Sequence, residues 1–287
     1  MKIQWKYIVV LIMVFFLLPP FLTRVISGKN SIEVEKNMGY EKLLPLILCE
    51  TIPWEYEEEM LKAQAVLERS NLYYWEEKNE KIWNQRMDYY YELSQKINFN
   101  KVYKRMEEAV YKTQGEILRF DGKVCRGVYH KASAGKTRRE GDLFVSMDLK
   151  YLQSVESTAD LEYEEEVQGF YFTIEAWKQR MKENYKDILF EKEAIEDEIY
   201  VTDRDTSGYV ISLNVGNKII SGEEFRKRMG LTSSNFEIQF LDESIRFICN
   251  GVGHGFGLSQ YGGNELAKKG STYKEILEFY FPGTEIY

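Results

Sequence analysis

The stretch "GVGHGFGLSQYGG", Gly251–Gly263, sets a glycine at every second position around His254, one of only two histidines in the chain. Glycine loses more backbone entropy on folding than any other residue, so a run of it needs a structural reason. A left-handed turn, a close backbone approach and an exposed linker are the three available. A linker fits poorly, because His254, Phe256, Leu258 and Tyr261 are not linker residues. The stretch therefore reads as a tight or close-packed loop, and its surroundings decide the fold class.

Upstream, "NFEIQF" and "SIRFIC" read as paired strands, the second of which feeds directly into the loop. Downstream, "YKEILEFYFPGTEI" reads as an amphipathic helix stopped by Pro282 and Gly283. Further from the loop, "EILRFDGKVCRGVYH" reads as a hairpin turning at Asp121-Gly122, and "YVISLNVGNKII" as another turning at Gly216-Asn217. "SGEEFRKRMGL" opens on a capping box from Ser221 to Glu224. Before the strands, "PWEYEEEMLKAQAVLERSNLYYW" reads as a helix opened by Pro53, with Met60, Leu61, Gln64, Ala65 and Leu72 on one face. Helical texture continues to about Tyr111, and the acidic segment 156–198 reads as a helix-rich peripheral layer. The fold class is α+β, a helical layer packed on a β-rich domain, with the glycine loop expected to line a groove.

The 287 residues suffice for a substantial core, and 44% hydrophobic with 15% aromatic content argues for a folded chain. Basic residues number 38 against 46 acidic ones, for a net charge of -8, and no dense basic patch interrupts the acidic background. Nucleic acid is excluded as a partner on that ground. Cys49, Cys125 and Cys249 form no CxxC pair and read as small buried hydrophobes. Neither they nor His130 and His254 have metal-ligand spacing, so no metal and no cofactor are expected.

The first residues bear on compartment. After Lys2 and Lys6, an uncharged apolar run from Tyr7 to Leu22 would span about 24 Å as a helix, extendable past Thr23 with Arg24 snorkelling. Residues 1–28 read as a cytoplasmic stub and an uncleaved single-pass anchor, 29–42 as a spacer and 43–287 as an extracytoplasmic domain. The competing reading is a signal peptide cleaved after Val25-Ile26-Ser27, a weak site.

Six stretches together resemble one family: "LKAQAVLERS" (61–70), "AVYKTQGEIL" (109–118), "YHKASAGKTR" (129–138), "YLQSVES" (151–157), "SGEEFRKRMGL" (221–231) and the long run from Gly251 to Ile286. In order and spacing they are similar to the stage II sporulation protein D and amidase-enhancer family. The resemblance implies a membrane-anchored protein acting on peptidoglycan during forespore engulfment, as a lytic transglycosylase on glycan strands stripped of stem peptides. Implied partners are the glycan strands, a cell-wall amidase and other engulfment membrane proteins, in the space between the two membranes of the sporulating cell. One carboxyl group can serve such a reaction, because the sugar's own 6-hydroxyl is the nucleophile and the same group acts first as acid and then as base.

The resemblance also exposes a departure. The family's catalytic glutamate stands two residues before a proline, and alignment on Pro53 puts Thr51 there, which cannot protonate a glycosidic oxygen. The family's "AARTY" continuation becomes "LERSN", with Arg69 retained. Glu50 is the neighbouring candidate acid, with Arg69 positioning it, although in an extended segment Glu50 and Thr51 would face opposite ways and a bulge would be needed. His130, Ser133, Lys136, Thr137, His254, Gln260 and Tyr261 are the candidate substrate-binding residues, with "HKASAG" and "GHGFG" facing each other across the groove. A catalytically inactive glycan binder that recruits or stimulates an amidase is the alternative function. A hydrolase pairing Ser259 or Ser133 with His254 lacks an identifiable acidic orienter.

Overall fold

The computed structural model describes residues 39–78, 90, 99–142 and 149–287. The apolar run Tyr7–Leu22, expected as an anchor, lies outside them. Among the described residues no helix is long and apolar enough to cross a membrane.

The domain begins with α1, Tyr40–Thr51, built on the apolar run that buries Leu43, Leu44, Leu46, Ile47 and Leu48. Pro45 removes one backbone donor from this helix, a loss its buried leucines offset at about 2 kcal/mol each. Ile52 then turns extended (φ -140°, ψ 142°), the conformation favoured before a proline. For that reason the next helix, α2, runs from Glu58 to Glu77 and does not open at Pro53 as the sequence suggests. Its first backbone amide neighbour, the Glu57 N–H, donates to the Asn264 side chain from far down the chain (2.7 Å). From Met60 to Leu72 nearly every residue of α2 is buried, and α3, Phe99–Lys112, packs Tyr103, Met106 and Val110 against it and α1.

Strands β1 (Leu118–Phe120) and β2 (Lys123–Val124) form the first hairpin, with Asp121 and Gly122 both at positive φ (49° and 75°) as a two-residue turn between right-twisted strands requires. Short β3 (Tyr129–His130) precedes an irregular stretch. β4 (Val167–Thr173), α4 (Ile174–Asn184), α5 (Ile195–Glu198), β5 (Ile199–Arg204), β6 (Val210–Val215), β7 (Lys218–Ser221), α6 (Gly222–Met229), β8 (Phe236–Leu241) and β9 (Ser244–Asn250) follow. After the glycine loop come β10 (Leu258–Ser259), α7 (Gln260–Lys268), α8 (Tyr273–Tyr280) and β11 (Glu285–Ile286).

Segment 156–198 is not peripheral. β4 pairs antiparallel with β9 along its whole length, from Val167 opposite Asn250 to Thr173 opposite Ser244, in the sheet order β4-β9-β8. Its Phe170 and Phe172 point alternately inward, and Trp177 of α4 is fully buried. A second sheet, β5-β6-β7, shares this core, which Phe225, Phe236 and Phe247 fill with tilted and edge-on ring contacts. The other core lies around α2, under α7, α8 and the sheet β11-β1-β2. Cys125 and Cys249 are buried, one in each core, as free thiols.

A candidate active-site pocket

The last turn of α1 and the connector after it wall a cavity of about 400 Å³. Glu50, Thr51 and Trp54 line it, with Val102 from α3, Lys131 and Gln260 from the far side. Glu50 and Thr51 face the same space because the segment is helical, where neighbours are turned by about 100° and not 180°. The bulge that an extended backbone would demand is therefore unnecessary. Gln260, at the first position of α7, donates from Nε2 to the Thr51 carbonyl (2.7 Å) and to Gln64 Oε1 (3.2 Å). The Thr51 hydroxyl donates back to the Ile47 carbonyl (3.0 Å), closing the helix end.

Directly behind Thr51 lies a carboxyl that the sequence did not single out. Glu68 of α2 is 2% exposed. It accepts hydrogen bonds from the Tyr129 hydroxyl (2.5 Å), Asn71 Nδ2 (3.2 Å) and Gln64 Nε2 (3.4 Å), and the Thr51 hydroxyl is within bonding reach of both Glu68 and Tyr129. Burial raises the Glu68 carboxyl above its ordinary range, against the opposing pull of its three hydrogen-bond donors and of the nearby Thr51 hydroxyl. Tyr129 is raised too, by burial first and then by the charge of Glu68, with Glu50 a lesser contributor.

Arg69 does not meet Glu50. Its Nε and Nη2 bond Glu41 at 2.7 and 2.9 Å, while Nη1 reaches the Glu116 carbonyl and Nη2 the Val110 carbonyl, both at 3.1 Å. Glu41 occupies the first turn of α1 and Glu50 the last, so the guanidinium fastens the helix at the end away from the pocket.

The two histidine loops also depart from expectation, since they pack directly on each other with no groove between them. β3 and β10 pair in parallel, Ser259 opposite His130, and a further bridge joins Ala132 to Val252. The two imidazoles stand 5.7 Å apart between centroids. His130 Nδ1 donates to the Phe256 carbonyl (3.0 Å), whereas His254 Nδ1 accepts from the Phe256 N–H (3.1 Å), so the two neutral rings are opposite tautomers. Burial depresses both imidazoles; for His254 the neighbouring His130 and the guanidinium groups of Arg226, Arg138 and Arg126 push the same way.

The glycines serve this contact. A Cβ on Gly255 (φ 77°) would lie 2.5 Å from the Tyr209 ring, and one on Gly257 (φ 69°) 2.1 Å from the Val128 carbonyl oxygen. The loop amides of Gly251, Val252 and Gly253 donate to the carbonyls of Glu166, Ala132 and Thr232, not outward to a ligand. Arg138 completes the seam between the two cores, its guanidinium 4.9 Å from the Tyr209 ring and 4.4 Å from Phe256, paired with buried Asp205 at 2.5 Å.

Asp160, hidden in the acidic segment, holds the seam from below. It accepts from the Ser133 amide (2.9 Å), from the Ser133 hydroxyl and from the Ser259 hydroxyl (2.7 Å). Both serines are thus tied to a carboxylate and not to an imidazole, which removes the Ser–His arrangement. Thr137 is buried and bonds the Val155 amide (2.9 Å), and Lys136 pairs with Glu156 (2.8 Å). Tyr261 meets Tyr163 in a tilted ring contact, centroids 5.0 Å apart. Of the sequence-based candidates, Glu50 and Gln260 line the pocket; His130, Ser133, Thr137 and His254 belong to the seam.

A family profile described as stage II sporulation protein matches residues 28–120. Across its length the chain is similar to stage II sporulation protein D of Bacillus subtilis (strain 168), 26% identical over 275 residues covering 91% of this chain and 77% of that one. The protein of the same name from Bacillus amyloliquefaciens is 24% identical over 91% of this chain and 76% of its own. The amidase enhancer of Bacillus subtilis (strain 168) is 24% identical over 226 residues, 62% of this chain and 32% of that protein.

Proposed function

We propose, for a chain that belongs to the stage II sporulation protein D and amidase-enhancer family, that it is a sporulation protein acting on the cell wall by cutting glycan strands freed of stem peptides. The observation that carries this reading is a carboxyl group, Glu50, on the wall of a 400 Å³ cavity that also presents an indole and a primary amide. Trp54 offers a sugar an apolar face, and Gln260 is held by two hydrogen bonds where it can meet hydroxyl or acetamido groups. In transglycosylation the leaving glycosidic oxygen takes a proton, and the 6-hydroxyl of the same sugar closes on C1, giving a 1,6-anhydro end. Glu50 is the carboxyl such a strand meets directly. The apolar run Tyr7–Leu22 would hold the domain at the outer face of a membrane, within reach of the wall.

A second reading keeps the pocket without the cleavage, as a glycan binder that recruits or stimulates a cell-wall amidase. Thr51 favours it, because a hydroxyl stands where the family resemblance expects the acid; similarity to an amidase enhancer points the same way. The full chain in detergent, incubated with denuded strands and followed by mass spectrometry, separates the two. Anhydro ends are the expected result, whereas intact strands that co-sediment with the protein would select the binder.

A further inference from the structure

Glu68 is buried in α2 among uncharged partners only. Tyr129, Asn71, Gln64 and Thr51 surround it, and no lysine, arginine or histidine pairs with it among the described residues. A carboxyl kept in a core as structure ordinarily faces a cation or a set of backbone amides. Asp160 takes a backbone amide and Asp205 takes Arg138, but Glu68 has neither kind of partner. The titratable groups facing it are Tyr129 from β3 and, beyond that phenol, Glu50 from α1.

Two short routes lead from Glu68 toward the pocket. One runs through the Thr51 hydroxyl, itself on the cavity wall. The other runs through Gln64 to Gln260, also on the wall. The two departures noted in the sequence, a hydroxyl at Thr51 and the carboxyl of "LERSN", therefore meet in space. We propose that Glu68 is the proton store of the pocket, exchanging protons with a bound glycan strand through the hydroxyl of Thr51.

The proposal rests on the cleavage reading and divides its chemistry between two carboxyls. The Thr51 hydroxyl turns from the Ile47 carbonyl to the glycosidic oxygen, and Glu68 passes its proton to the Thr51 oxygen as that hydroxyl gives up its own. The C1–O bond breaks, its electron pair leaves on that oxygen, and the Glu50 carboxylate faces the positive charge at C1. The 6-oxygen then bonds to C1 and gives up its proton to Thr51, whose proton returns to Glu68. No proton is gained or lost over the cycle, and Glu68 never touches the sugar. It is a positioning residue whose burial favours the protonated form, so the rate is expected to fall as pH rises through its elevated pKa.

The test measures anhydro-end formation by the full chain on denuded strands across pH, with melting temperature as the fold control. Glu68→Gln and Thr51→Val are each expected to slow the reaction about 100-fold, and the double variant no further, because both interrupt one route. Thr51→Ser should keep the parental rate, and what activity Glu68→Gln retains should lack the alkaline fall. Thr51→Glu combined with Glu68→Ala places the carboxyl directly on the wall and should recover the rate. A folded Glu68→Gln within about threefold of the parent overturns the proposal and leaves cleavage standing. Should Glu68→Gln not fold, Thr51→Val decides alone, and parental activity there overturns it. A parent that binds strands and yields no anhydro ends defeats cleavage and proton store together.

Discussion

The seam around the glycine loop and the pocket at the end of α1 are both polar, and both draw on the far C-terminal part of the chain, yet they are built in opposite ways. In the seam, donors and acceptors turn inward: loop amides to carbonyls, Ser133 and Ser259 to Asp160, Arg138 to Asp205. In the pocket, Glu50, Thr51 and Gln260 keep groups on a cavity wall. A region whose groups all turn inward holds a structure together; one whose groups also line a cavity has room to hold something else. The seam should therefore be sensitive in stability and the pocket in activity.

The most disruptive variant is expected to be Gly255→Val, which combines a disfavoured φ with a Cβ 2.5 Å from the Tyr209 ring and should cost about 4 kcal/mol. A urea midpoint equal to the parent's would break the assignment of the loop to architecture. Asp160→Ala strands a buried amide and two hydroxyls and is expected to cost about 3 kcal/mol, read by the same titration. Acid should act on the seam before it acts on the pocket. His130 and His254 have folded pKa values depressed below their unfolded ones, so the stability they contribute is complete above about pH 6.5 and is lost as pH falls below it. His254→Asn should flatten that loss; a parent whose urea midpoint is level from pH 7.5 to 5 would count against the paired neutral rings.

In the pocket the effects on folding shrink. Gln260→Ala removes two hydrogen bonds and should cost about 1 kcal/mol, together with a clear loss of strand binding in co-sedimentation. Glu50→Gln, at a half-buried position, should shift stability by less than about 0.5 kcal/mol while lowering anhydro-end formation by about 100-fold or more. Equal activity in Glu50→Gln would take that side chain out of the chemistry and sharpen the division between the two carboxyls.

Short-range signals were legible. The turns at Asp121-Gly122 and Gly216-Asn217, and the strand running into the glycine loop, follow from neighbours in sequence. The capping box at Ser221 is only half formed: Ser221 accepts from the Glu224 amide (3.2 Å), but the Glu224 carboxyl turns to the Tyr185 hydroxyl (2.9 Å), a partner no local pattern reveals. Glu68 did leave a trace, since it falls between Gln64 and Leu72 on the apolar face of α2, where a charge is out of place. Asp160 left none, because acidic neighbours from Glu156 to Glu166 hide a single buried carboxylate. The facing of Glu50 turned on whether its segment was coiled or extended, which burial of the preceding leucines decided.

Gln260 lies 209 residues after Thr51, whose carbonyl it bonds. A chain emerging from its amino end makes α1 and α2 early, but must wait for almost all of the remaining sequence before the pocket has its far wall. Contacts of such separation form late, after loop closure over most of the polypeptide. The complete pocket is thus absent from every nascent or truncated form that lacks α7, and whatever it holds can be held only by a molecule whose chain has been made through that helix.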